Sequence, residues 1–153
     1  MIVHLIVIGK TKNGHLGALE KDFTARLRNY TRVDLSIIRE ARPPDRPDAL
    51  RDEGIRILKK IQAGDFVVAL DSRGEELTSR ALSDFLQKRL LAGTKRTVFI
   101  IGGPKGLDDS VKGRADLVLS FSRFTLTHEM IRTLLLEQLY RAWTLLRGEK
   151  YHR

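Results

Sequence analysis

The chain has 153 residues, 42% of them hydrophobic, a size and composition with which one compact domain can bury a core. It contains no cysteine, which excludes a disulfide framework, a thiolate nucleophile and the usual cysteine-containing zinc sites. The 28 lysines and arginines exceed the 19 acidic residues and give a formal charge of +9, which favours nucleic acid as a partner over solubility alone.

The first segment, residues 2–8, is apolar over too short a stretch to span a membrane and lacks a basic leader, so it predicts a buried strand. We therefore expect a cytoplasmic protein that has no membrane partner. Gly9-Lys10-Thr11 follows this strand, but His4 stands where a phosphate-binding P-loop requires its first glycine. An ordinary turn is predicted there instead.

A first helix is indicated by apolar residues at spacings of four and three, namely Leu19, Phe23, Leu27 and Tyr30. Residues 33–37 alternate apolar and polar side chains, as in a strand near a sheet edge, and the prolines that follow predict an irregular loop. A second helix is expected from Asp48 towards Ala63, and a third from a Thr78 cap to Gly93.

Further short strands are expected at residues 66–70, 98–101 and 117–119. Their alternation with helices predicts an α/β fold with a mainly parallel sheet and helices on both faces. No repeat or composition shift divides the chain, so residues 1–153 are expected to form a single domain. Ligands of such sheets bind beyond the carboxyl ends of strands, which points to the segments after Leu70, Ile101 and Leu119.

Two of these segments have suggestive compositions. The loop Gly102-Gly103-Pro104-Lys105-Gly106 carries glycines that let a ligand approach the backbone, although a tight structural turn explains them equally well. Pro104 breaks the G-x-G-x-x-G pattern, so a dinucleotide is not favoured. Residues 120–128 are small and polar and suit an ordinary strand-to-helix connection capped by Thr127, or a second loop of the same site.

The last helix, about residues 128–147, is apolar over roughly two-thirds of its circumference. This arc predicts burial on two sides and, in so short a chain, a second copy as cover. Glu137 and Arg141 are spaced for a helix-stabilising ion pair. Beyond Gly148 the chain ends in Tyr151-His152-Arg153, residue types that stack on bases, transfer protons and bind phosphate, although many termini have no function.

Taken together, these features resemble the ribosomal RNA large-subunit methyltransferase H family of the SPOUT class. The likeness spans the whole chain and is carried by Leu70-Asp71, residues 100–106, 119–122, 126–128 and 137–143, and the terminal Tyr151-His152-Arg153. It implies a C-terminal trefoil knot, a homodimer, and metal-independent methylation at N3 of a pseudouridine in 23S ribosomal RNA of the ribosome, with S-adenosylmethionine as methyl donor. General rules of chain connection would count against a knot.

The resemblance also implies roles for individual residues. S-adenosylmethionine would contact Leu70, Gly102 with the adjacent Gly103, and the run Phe121, Ser122, Arg123, Phe124, Thr125 and Leu126. The catalytic group would be Tyr151, His152 and Arg153, with His152 as proton acceptor and with Arg153 able instead to hold the RNA. Glu137 would shape this group by orienting Arg132 or a tail arginine.

Some features leave alternatives open. The tail could act in the cofactor pocket of a partner subunit. Lys105 and Thr127 stand where relatives often carry glutamate and proline, which makes the mouth of the pocket more basic and the entry to the last helix less rigid. Two rival functions are a knotted methyltransferase that acts on transfer RNA and a ribosome-assembly factor that binds RNA without catalysis.

Overall fold

The computed structural model describes residues 1–151 and contains a parallel sheet of five strands in the order β2-β1-β4-β3-β5. The strands are β1 (Ile2–Ile8), β2 (Arg32–Ile38), β3 (Phe66–Glu76), β4 (Arg96–Ile101) and β5 (Leu117–Ser120). The helices are α1 (Gly14–Leu27), α2 (Ala49–Leu58), α3 (Ser79–Leu91), α4 (Asp109–Arg114) and α5 (His128–Leu146). The predicted α/β class is confirmed.

Each face of the sheet carries its own apolar core, because alternate residues of a strand point to opposite sides. On one face, Leu5 of β1 and Phe99 of β4 belong to the core completed by α1, α3 and α5. On the other, Ile6 and Ile100 belong to the core completed by α2 and α4. Helices therefore cover both faces, as the sequence predicts.

The ends of several elements follow from local chemistry. Thr78 and Thr127 accept hydrogen bonds from backbone N–H groups in the first turns of α3 and α5, which confirms both predicted caps. The alternating strand β2 lies at the sheet edge as predicted, and its Leu35 is 58% exposed. None of the helices within residues 1–151 is both long and apolar enough to cross a membrane.

Several predicted boundaries were wrong. Helix α2 ends at Leu58 instead of near Ala63, and α4 was not predicted because this six-residue helix buries only Val111. Strand β3 continues to Glu76 beyond the predicted Leu70. Its polar extension pairs with β5 only after a register shift and has no apolar pattern to reveal it.

The buried face of the first helix also differs from the predicted one. Helix α1 ends at Leu27, so Tyr30 lies beyond it in the following turn. Leu27 is fully buried, whereas Leu19 is 44% exposed and belongs to neither core. Only the C-terminal part of the predicted apolar face therefore packs on the sheet.

Much of the broad apolar arc of α5 is covered within a single subunit. The helix lies between α1 and α3 and also contacts β4. Leu139 is completely buried and Trp143 is 6% exposed, with Tyr30 stacked 6.4 Å from the Trp143 ring. The centre of the arc is therefore buried within one subunit, whereas Leu134 and Leu145 stay partly exposed and a second copy over them stays a prediction.

Candidate functional site

A cleft of about 780 Å³ lies at the carboxyl ends of β4 and β5 and beside the middle of β3, at Leu70, Asp71 and Ser72. This is the edge where the parallel sheet is predicted to bind a ligand. The cleft brings together eight of the nine residues expected to contact a cofactor, namely Leu70, Gly102, Gly103, Phe121, Ser122, Phe124, Thr125 and Leu126. The ninth, Arg123, is not part of the lining, because its side chain is 92% exposed beside Glu76.

The glycine-rich loop after β4 crosses closely over itself. Gly103 and Gly106 form an antiparallel bridge, and the N–H of Gly106 donates to the Gly103 carbonyl at 3.0 Å. A Cβ on Gly102 would lie 2.2 Å from the Gly106 carbonyl oxygen, and Gly106 itself has φ +80°. The predicted tight turn is therefore present, and the same turn forms one wall of the cleft.

Gly103 differs from Gly102 in what a side chain would meet. Its Cβ would point away from the cleft, to within 3.2 Å of Ile8 Cγ2 and 3.9 Å of the buried Glu53 carboxylate. The tight packing at Gly103 therefore lies against the protein interior. A valine there would disturb that interior contact before it filled the cleft.

Residues 120–127, called the serine loop below, form another wall of the cleft, and the loop is ordered by hydrogen bonds of its own hydroxyl groups. Ser120 Oγ accepts the N–H of Ser122 at 3.3 Å and donates to the Ser122 carbonyl at 3.1 Å. Ser122 Oγ in turn accepts the N–H of Phe124 at 3.0 Å. These short-range bonds hold the loop backbone before any ligand arrives.

Several cleft residues were not assigned a cofactor contact from the sequence. Asn13 and Leu16 come from the segment after β1, and Asp71, His128 and Glu129 also line the cleft. The strand-end rule that selected the other three segments applies equally to β1 and was the available signal. Asp71 and His128 lie in segments that the sequence had already selected, after Leu70 and at residues 120–128, but neither was assigned a cofactor contact.

Charge in the cleft is fixed by local contacts. The N–H of Arg73 donates to Asp71 at 2.9 Å and lowers the pKa of this carboxyl, which is therefore ionised at neutral pH. Burial, aided by Arg132, lowers the pKa of His128, so its imidazole is neutral. Within residues 1–151, histidine and acidic side chains form no group of three that could hold a metal ion.

Helix α5 braces the loop between β1 and α1 against the cleft. Arg132 is 3% exposed and donates to the Ile8 carbonyl. Glu129 accepts the backbone N–H groups of Lys12 at 3.0 Å and Asn13 at 3.1 Å, which lowers the pKa of Glu129. This wall of the cleft is therefore held by long-range contacts that no local pattern predicts.

A second cluster of polar side chains forms farther along α5. Arg141 Nε donates to Glu137 Oε1 at 2.9 Å, so the predicted ion pair is present. The Tyr151 hydroxyl donates to the same oxygen at 3.4 Å, and its ring lies 4.8 Å from that of Tyr140. Glu137 does not orient Arg132, which instead contacts the β1–α1 loop.

This cluster is separate from the cleft of the same subunit. Neither Glu137 nor Tyr151 lines the cleft. Glu137 follows Ile131, the last cleft-lining residue of α5, by six residues, which corresponds to roughly 9 Å along the helix. The remaining predicted catalytic residues, His152 and Arg153, lie outside the described residues.

Comparison with known proteins identifies the class to which this fold and cleft belong. The family model described as predicted SPOUT methyltransferase matches residues 1–152. Among solved structures, a tRNA (m1G37) methyltransferase from Aquifex aeolicus aligns with a TM-score of 0.58 at 19% identity, covering 100% of this chain and 74% of that chain. A probable methylase family protein from Haemophilus influenzae Rd KW20 aligns with a TM-score of 0.57 at 13% identity, covering 99% of this chain and 70% of the other.

Similar proteins with curated names identify the family within this class. A protein of Syntrophotalea carbinolica is 44% identical over 154 residues, and one of Christiangramia forsetii is 41% identical over 155 residues. Both alignments cover 99% of each chain, and both proteins are named ribosomal RNA large subunit methyltransferase H. The chain therefore belongs to the ribosomal RNA large subunit methyltransferase H family of SPOUT methyltransferases.

Proposed function

We propose that the protein transfers a methyl group from S-adenosylmethionine to N3 of a pseudouridine in 23S ribosomal RNA. The observation that carries this proposal is the full-length similarity to ribosomal RNA large subunit methyltransferases, joined to a cleft at the expected strand ends. The chain's positive charge suits an RNA substrate. The proposal locates the protein in the cytoplasm, where the ribosome is its partner.

The residues of the cleft fit the proposed cofactor. Its volume of about 780 Å³ is within the usual range for ligand sites, roughly 300–1,000 Å³. Leu70 and Leu126 offer apolar surface to an adenine ring, while the glycine loop brings backbone polar groups to the same space. The ionised Asp71 supplies negative charge to a ligand that carries a sulfonium and an ammonium group.

When bound, S-adenosylmethionine supplies an electrophilic methyl group. Leu70, Gly102 and the segment 121–126 would hold it. The chain must also align the acceptor nitrogen in line with that methyl group and exclude water. No metal enters this proposal, because the acceptor needs only to lose its N3 proton.

The acceptor proton would pass to the imidazole of His152. Tyr151 and Arg153 would hold the base and the RNA backbone, residue types suited to stacking and phosphate binding. Glu137 supports this assignment as a positioning residue, because it accepts hydrogen bonds from both Arg141 and Tyr151. Tyr151 is thereby attached to α5, immediately before His152 and Arg153 in the sequence.

We further infer a homodimer in which the tail of one subunit completes the cleft of the other. Two observations support this inference. Family resemblance implies a dimer, and Glu137 lies roughly 9 Å along α5 from the cleft-lining Ile131. A tail supplied by the partner would remove that separation.

A C-terminal trefoil knot belongs to the same proposal. The polar extension of β3 passes very close to β5, where a Cβ on Gly74 would lie 2.6 Å from the Val118 carbonyl oxygen. This approach reflects the pairing of the two strands, and the knot itself rests on membership of the SPOUT family. The single-domain organisation of residues 1–153 is likewise a proposal, supported by a sheet that spans the chain from β1 to β5.

Substrate comparison tests the proposed function. Labelled S-adenosylmethionine and a metal chelator are incubated with the protein and, separately, unmodified ribosomes, purified ribosomal RNA and transfer RNA. Methyl transfer to ribosomes or ribosomal RNA is expected. Transfer confined to transfer RNA would favour the first rival function, and RNA binding without cofactor binding would favour a non-catalytic assembly factor.

A further inference from the structure

Phe124 is an unusual residue for the wall of a cleft. It lines the cleft but leaves 82% of its surface exposed. Among residues 1–151 it is the one aromatic side chain within the set of exposed large hydrophobic residues. Leu91 is equally exposed, but it lies at the end of α3 and does not line the cleft.

The backbone around Phe124 is fixed while its ring is left in solvent. The N–H of Phe124 donates to Ser122 Oγ at 3.0 Å, and Ser120 holds Ser122 in turn. Within the described chain, Phe124 belongs to neither apolar core. An ordered loop that presents an unpacked ring provides a stacking surface without a large ordering cost on binding.

Two exposed arginines lie next to residues that line the cleft, since Arg123 precedes Phe124 and Arg73 follows Ser72. Arg123 is next in sequence with a side chain 92% exposed, and Arg73 on the β3 extension has a side chain 81% exposed. Among the described residues, Arg123 pairs with Glu76 and Arg73 with Asp71, each at a long 3.5 Å. Such exposed pairs contribute little stability, which leaves both guanidinium groups able to turn towards phosphate.

We propose that Phe124 is a stacking platform for an unpaired RNA base beside the cleft, with the adjacent Arg123 and the cleft-bordering Arg73 as phosphate contacts. This inference rests on the proposed function and adds to it a specific RNA contact. Aromatic rings beside guanidinium groups are the usual means by which proteins hold unstacked bases. The flanking positive charge favours RNA over a second copy of this basic chain as the occupant.

The platform assigns different tasks to two parts of one residue. The backbone of segment 121–126 would contact S-adenosylmethionine, whereas the Phe124 ring would contact RNA. Removal of the ring should therefore weaken RNA binding and spare cofactor binding. If the ring covered the cofactor, its removal would weaken cofactor binding. If it packed against a second subunit, its removal would lower the mass of the protein in solution.

The test compares Phe124→Ala, Phe124→Leu and Phe124→Trp, with Leu91→Ala as a control that removes an equally exposed apolar side chain elsewhere. The affinity for unmodified ribosomal RNA is measured by filter binding at fixed salt, and the affinity for S-adenosylmethionine by calorimetry. Alanine and leucine should weaken RNA binding roughly 5- to 150-fold, the range for loss of one stacked base. Tryptophan and the control should bind as the wild type does.

Equal RNA affinity of wild type and Phe124→Ala would overturn the platform, as would a matching loss of cofactor affinity. A smaller mass of Phe124→Ala in light scattering would assign the ring to a subunit interface and also overturn it. Failure of the proposed function is distinguishable, because it would appear as absent methyl transfer by the wild type. RNA affinity is measured without methyl transfer and tests the platform independently.

Discussion

Replacement of Gly102 by alanine tests the turn that forms one wall of the cleft. The new Cβ would lie 2.2 Å from the Gly106 carbonyl oxygen and 2.4 Å from its carbon. Real Cβ contacts essentially never fall below 3.0 Å, so the backbone of the loop must move by roughly 1 Å. Because both partners belong to the backbone, no side-chain rotation can relieve the overlap.

The expected loss of folding stability in Gly102→Ala has two causes. Forced overpacking of this kind costs about 1–3 kcal/mol. Displacing Gly106 also weakens its hydrogen bond to the Gly103 carbonyl, worth about 1 kcal/mol. A total of about 2–4 kcal/mol corresponds to a fall in Tm of roughly 5–15 °C for a chain of this size.

Differential scanning calorimetry and titration with S-adenosylmethionine measure the two consequences. Gly102→Ala should lower the Tm. If the loop instead shifts without disturbing the rest of the fold, the variant should lose most of its affinity for the cofactor. Gly17→Ala is the matched control, because it lies in α1 with nothing within 4 Å of its Cβ and should gain up to about 1 kcal/mol. A Gly102→Ala variant with wild-type Tm and wild-type affinity would refute the described turn.

Three further predictions concern the tail, the assembly and pH. Deletion of His152 and Arg153 should abolish methylation and leave the Tm unchanged, since Tyr151 keeps its contact with Glu137; methylation at the full-length rate would show that the tail is idle. Light scattering should give about twice the 17.4 kDa chain mass, and a monomer at micromolar concentration would contradict the proposed composite site. The lowered pKa of His128 means that the unfolded state takes up its proton first, so the unfolding free energy should fall as pH drops through 6.5 towards the folded-state pKa. Urea unfolding should show a smaller loss for His128→Asn, and an imidazole that titrates at or above 6.5 by NMR would contradict the described burial.

Sequence patterns were most informative where apolar periodicity is strong. The buried strands β1 and β4, the edge strand β2 and the caps Thr78 and Thr127 all carry such local signals. The rule that ligands bind beyond strand ends also located the glycine and serine loops of the cleft. For these elements, the residues that favour the local structure are also the ones that the overall fold places there, so the sequence alone was sufficient to predict them.

Features that depend on long-range packing could not be obtained in this way. The brace between Arg132 and the Ile8 carbonyl joins residues far apart in the chain. The polar extension of β3 pairs only after a register shift, and nothing in its composition predicts that partner. Tyr30 stacks on Trp143 within one subunit because α5 packs between two other helices. A helical projection of α5 alone carries no information about those neighbouring helices.

The most direct test of the central claim is to locate the transferred methyl group. Ribosomes that lack the modification are incubated with the protein and labelled S-adenosylmethionine, and the labelled nucleotide is then identified by nuclease digestion and mass spectrometry. The account predicts a single labelled nucleotide in 23S ribosomal RNA, a pseudouridine carrying the methyl group on N3. A label on another base, on the ribose or on transfer RNA would contradict it.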